Sequence, residues 1–224
     1  MNTDTLDDVR RWLRAGKRAI LLVRHAERTK IDPKDPTFGD TLPITAEGVR
    51  SAKALGAMLK EFAPLASFVS SPLTRTRMTA ACIAEGMGLG GIDIPADGKL
   101  GNESFFYEDN AKVLAAFTPP ENFFPACFEY MEKGALDGFH PLAESACEME
   151  RWLDERHATP LLVAVTHDLY IAAFLAARGA YGEHSRETWP RFLDAGAIYT
   201  DGAAPRRYAL VRTGLSGRIV GVRA

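Results

Sequence analysis

Arg24, His25 and Arg28 close the apolar run Ala19-Ile20-Leu21-Leu22-Val23 in a chain of 224 residues. An imidazole between guanidiniums suits phosphoryl transfer: the arginines grip phosphate oxygens bidentately while the histidine attacks phosphorus and holds the group covalently. Alone the run is a weak signal, because Arg-His pairs without function are common on surfaces. Two other segments carry compatible groups, Ser71-Pro72-Leu73-Thr74-Arg75 and His167-Asp168. Arg75 offers another clamp, His167 a second imidazole and Asp168 a carboxyl. Each also has a plainer reading: Arg75 as a surface arginine, which Arg77 is expected to be, and Asp168 as a helix cap.

The neighbouring sequence says how these segments would meet. Leu6, Val9, Trp12 and Leu13 have helical spacing over residues 5–15, with Gly16 as a stop. The strand Ala19–Val23 follows, then a loop whose Pro33, Pro36 and Pro43 exclude helix. Thr45 can cap a helix with Val49, Ala52, Leu55, Leu59 and Phe62 on one face, ended by Pro64. A short strand over Ser67–Val69 and a helix over Met78–Gly86 come next. Helices are expected over Leu142–His157 and Leu169–Ala177, flanking the apolar strand Leu161–Thr166. Further strands are expected at Ala197–Thr200, Tyr208–Arg212 and Arg218–Val222, paired antiparallel.

Together these elements predict an α/β fold of three layers, α/β/α. It would have a mostly parallel central sheet, an antiparallel edge and a helical, aromatic-rich insertion, in one domain over residues 1–224. The insertion, residues 100–140, concentrates nine Phe and Tyr side chains from Phe105 to Phe139. It either packs on the core or also caps a substrate pocket. All three polar motifs follow a predicted strand, and ligands in open α/β sheets bind beyond the carboxyl ends of strands.

Composition narrows the setting. A net charge of −2 leaves no basic footprint, so neither nucleic acid nor an anionic membrane surface is expected as partner. Cys82, Cys127 and Cys147 fit neither a disulfide framework nor a zinc pair, which suits a reducing compartment. With no signal-like or membrane-spanning stretch, the expectation is a cytoplasmic protein, although a leader missing from this sequence would go unseen. His140, His157 and His184 lie in polar sequence and are expected to be solvated, as are Lys30 and Lys34.

As a set, the motifs resemble the histidine phosphatase superfamily, which includes phosphoglycerate mutase-like proteins and histidine acid phosphatases. The likeness covers residues 18–90 and 158–213. Its Arg-His-Gly signature stands here as Arg24-His25-Ala26, its Thr-x-x-Gly helix start as Thr45-Ala46-Glu47-Gly48, and its Ser-Pro-Leu-x-Arg element as Ser71 to Arg75 with Thr79 beyond; His167 matches the second catalytic histidine. Arg28 and the His167-Asp168 pair are similar to the acid phosphatase branch. Ala26 departs from glycine, which requires a negative φ there, and Lys30 stands in place of proline.

The resemblance implies a metal-independent phosphatase for phosphate monoesters, without cofactor, with a phosphorylated small molecule as partner. His25 would be the nucleophile, with Arg24, Arg28, Arg75 and a protonated His167 on the phosphoryl oxygens. Asp168 would donate the leaving-group proton, with Glu103 as the alternative acid. A phosphoglycerate mutase-like phosphotransferase and a catalytically silent phospho-ligand binder are the competing functions. The sequence does not specify the substrate or the oligomeric state.

Overall fold

The structure, a computed structural model, describes residues 3–32 and 39–215. Its centre is a six-stranded sheet ordered β1-β6-β5-β2-β4-β3, from β1 (Thr3–Thr5), β2 (Arg18–Arg24), β3 (Ala66–Ser70), β4 (Leu161–Thr166), β5 (Ala195–Thr200) and β6 (Arg207–Arg212). β2, β4 and β3 pair in parallel, as do β1 and β6, while β5 runs antiparallel to both β2 and β6. The expected strand at Arg218–Val222 lies outside the described residues, as does Lys34.

Side chains alternate between the two faces along each strand, and this alternation divides the core. Ile20, Leu22, Leu162, Ala164 and Ile198 point into one cluster, which α6 (Leu142–Arg156) and α7 (Asp168–Ala177) cover. Ala19, Leu21, Val23, Leu161, Val163 and Val165 point into the other, under α1 (Leu6–Arg14), α2 (Ala46–Met58) and α3 (Thr74–Met87). The insertion forms α4 (Asn110–Ala116) and α5 (Phe123–Lys133), and buries Phe105, Phe106, Tyr130 and Phe139 against the first cluster. Among the described residues no helix is long and apolar enough to cross a membrane.

The register brings the three motifs together. Arg24 is level with Thr166 across β2 and β4, and Ser70 is level with Val165 across β3 and β4. Strand neighbours lie about 4.8 Å apart, so His25, His167 and Ser71 leave the sheet side by side at its carboxyl edge. α3 starts four residues earlier than its apolar spacing predicts, because extended Leu73 opens it at Thr74. That extra turn carries Arg75.

Candidate active site

His25 is buried, and its Nδ1 lies 2.8 Å from the Ala26 carbonyl. A carbonyl only accepts, so Nδ1 carries the proton and Nε2 keeps its lone pair. The Ala26 N–H donates to Thr79 Oγ1 at 2.9 Å, and Thr79 Oγ1 donates to the Arg75 carbonyl at 2.7 Å, so α3 pins the loop bearing His25. Among the described non-glycine residues only Leu193 has a positive φ, so the methyl of Ala26 is accommodated without strain. The Thr45 to Gly48 start of α2 secures the same loop: Thr45 caps Gly48 N at 3.0 Å, and its own N–H donates to the Glu27 carbonyl at 2.8 Å. A Cβ on Gly48 would meet that carbonyl at 2.4 Å, which explains the glycine.

Arg24 and Arg75 act on this imidazole, and Arg28 lies near both of them and near His167. Arg24 donates to the Pro190 carbonyl at 2.6 Å, pairs with Asp168 Oδ2 at 2.9 Å, and stacks on Phe192 at 4.4 Å. Arg75 donates to the Gly39 carbonyl at 2.7 Å, and Arg28 to the Thr29 carbonyl at 2.8 Å. Of the five buried side-chain polar atoms without a partner among the described residues, three are the Nε atoms of Arg24, Arg28 and Arg75. A buried donor left unpaired costs about 1–3 kcal/mol, so this concentration marks a place built for an anion.

The electrostatics agree. Burial, then the neighbouring His167, Arg24 and Arg75, hold His25 well below its ordinary pKa and favour its neutral form. Burial and Arg75 likewise bring His167 down to about 3. Without a bound anion this favours neutral His167, whose Nε2 lies 3.3 Å from Ser71 Oγ. Burial followed by Arg75 lowers Arg28 to about 10, which leaves it charged at neutral pH.

The two candidate acids, Asp168 and Glu103, have unlike surroundings. Asp168 accepts from Leu169 N at 3.0 Å, from Trp189 Nε1 at 2.9 Å and from Arg24. Burial alone would raise its pKa, but Arg24, the Trp189 N–H, His167 and the Leu169 N–H outweigh that and leave it lowered. Asp168 is thus a carboxylate fixing Arg24; protonating it would break that ion pair. Glu103 is exposed and its carboxyl lies over Gly98, where a Cβ would meet it at 2.6 Å.

Other histidines also differ from expectation. His157 is buried, and His184 stacks on Tyr181 with ring centroids 5.6 Å apart; only His140 is exposed. Sequence reasoning missed Trp189 and Phe192, which hold Asp168 and Arg24. They stand in an irregular segment with no periodicity to reveal them; Pro190 between them was the only mark of a loop. No group of three or more His, Cys, Asp or Glu among the described residues is arranged to hold a metal.

Residues 20–108 match the sequence model of the histidine phosphatase superfamily (branch 1). No curated protein matches the chain. Among solved structures, Mycobacterial hydrolase 2 is similar at 17% identity, over 91% of this chain and 93% of that one, with a TM-score of 0.57. A mycobacterial glucosyl-3-phosphoglycerate phosphatase is similar at 16% identity, over 89% and 100%, with a TM-score of 0.55. A phosphoglycerate mutase from Bacillus anthracis gives 14% identity, 87% and 91%, and a TM-score of 0.52. At such identities the likeness concerns the fold. The sequence match is to branch 1, so it adds nothing to the acid phosphatase features drawn from Arg28 and His167-Asp168. The matched segment, residues 20–108, holds Arg24, His25, Arg28 and Arg75, so what the chain shares with this superfamily is a sequence likeness over that segment and a fold over most of its length.

Proposed function

We propose that this chain is a phosphoric monoester hydrolase working through a phosphohistidine on His25. The observation that carries the reading is a neutral, Nδ1-protonated His25 near three guanidiniums whose Nε–H groups are buried and unpaired. Nε2 attacks phosphorus, the ester P–O bond breaks, and the leaving oxygen takes a proton. Water then attacks the phosphoryl group, the N–P bond breaks, and orthophosphate departs. Arg24, Arg28 and Arg75 stabilise charge on the equatorial oxygens in both steps, the principal demand of phosphoryl transfer. A dianion bound there raises the proton affinity of His167, so that it donates from Nε2.

Asp168 orients Arg24 and Ser71 orients His167. The aromatic insertion walls the site through Trp189, whose ring meets Phe123, Phe124 and Phe128 at 5.3–5.9 Å. No step in this scheme requires a metal. Release of orthophosphate from an aryl phosphate in EDTA, abolished in His25→Ala, is the expected result. Turnover retained by His25→Ala would overturn the reading, and transfer to a second hydroxyl instead of water would make the protein a mutase.

A further inference from the structure

The proton of the leaving group needs a source, and one carboxyl at the mouth of the site has no part in the scheme so far. Asp40 directly follows Gly39, whose carbonyl accepts from Arg75 at 2.7 Å. The Asp40 carbonyl accepts from Thr74 N at 3.1 Å, which ties its backbone to the first turn of α3 beside Arg75. Its carboxyl is half-buried, and its charge favours the Arg75 cation, as that of Asp168 does.

Asn102 connects Asp40 to the opposite side. Its Nδ2 donates to Asp40 Oδ2 at 3.1 Å, which leaves Oδ1 to carry a proton. The backbone just before it is fixed at the carboxyl edge of β4: Thr166 Oγ1 donates to the Leu100 carbonyl at 2.9 Å and Tyr170 to the Gly101 carbonyl at 2.7 Å. Gly101 lies so close to Ser71, the partner of His167, that a Cβ would come within 2.6 Å of its hydroxyl. Asp40 and Asn102 therefore span the rim between the Arg75 and His167 sides of the clamp.

We propose that Asp40 is the general acid and base of the reaction and that Asn102 is its positioning residue. The assignment rests on the phosphohistidine reading above. As Nε2–P forms and the ester P–O bond breaks, the electron pair left on oxygen takes the Asp40 proton and a neutral alcohol departs. As water adds and N–P breaks, Asp40 takes the water proton and is restored. The approaching phosphate dianion favours the protonated carboxyl needed for the first step, and Asp40, unlike Asp168, can accept that proton without giving up an ion pair to Arg24.

The test is a leaving-group series of alkyl phosphates and 4-nitrophenyl phosphate on folded Asp40→Asn, with melting curves as the control. Loss of a general acid is expected to cost about 10²- to 10⁴-fold in kcat/KM on the alkyl esters and under about 10-fold on the activated ester. Asn102→Ala removes the bond that holds the Asp40 carboxyl, so a smaller loss with the same leaving-group dependence is expected. Equal loss on all esters in Asp40→Asn overturns the assignment, as does leaving-group dependence in Asp168→Asn or Glu103→Gln instead. Absence of phosphoryl-His25 in the unaltered protein overturns the parent reading together with this one.

Discussion

Trp189 shows how a single N–H can support a charged site. Its indole and Arg24 both donate to Asp168 Oδ2, and its ring is buried among the phenylalanines of α5. Trp189→Phe keeps the packing and removes the donor. Because hydrogen bonds to charged groups are worth about 1.5–3 kcal/mol, a stability loss of about that size in urea melts is expected, together with a KM increase larger than the fall in kcat. An unchanged melt would show that the indole N–H does not hold Asp168. That Arg24, Arg28 and Arg75 come together was legible in the sequence, because strand ends and motif spacing mark them. Asp168 was legible beside His167, but its bond from Trp189 was not, since no spacing marks the irregular segment that holds the indole.

At the scale of elements, α2 and α3 meet backbone to backbone. A Cβ on Gly86 would lie 2.1 Å from the Lys53 carbonyl, and one on Gly56 would lie 2.0 Å from the Ile83 carbonyl. Neither carbonyl can move without moving its helix. Gly86→Ala is therefore expected to destabilise by about 1–3 kcal/mol, as overpacking does, and to lower kcat/KM, because α3 carries Arg75 and Thr79. Chemical denaturation alongside steady-state kinetics checks both; full stability in Gly86→Ala would contradict the close contact. The helices were readable from their apolar faces, but this contact was not, since glycine inside a helix gives no sign of its neighbour. The three-residue β1 also escaped notice: it is too short for alternation and exists by pairing with β6.

Across the whole molecule, the fold class was legible because apolar strands alternate with amphipathic helices, and the shared edge followed from where the motifs end. What the sequence could not show was burial: His25, His157 and His167 all have pKa values pushed below 6.5, by burial first and by neighbouring arginines as well. As pH falls below about 6.5 the unfolded chain protonates these imidazoles while the folded chain resists, so unfolding gains protons and stability drops. For His167 that decline runs down towards about pH 3. Melting temperature is thus expected to fall steadily from about pH 7 to pH 4, less so in His167→Asn. Orthophosphate should raise it at neutral pH, through a stabilisation of about 2.7 kcal/mol at a hundred times its Kd. A melting temperature flat with pH would mean the imidazoles are not buried as described. The central claim is tested most directly by acid-free quenching during turnover of an aryl phosphate, followed by mass spectrometry of the peptide holding residue 25. One phosphoryl group on His25, lost on chase and absent in His25→Ala, is the expected result; phosphorylation of any other residue, or turnover without a phosphoenzyme, would contradict it.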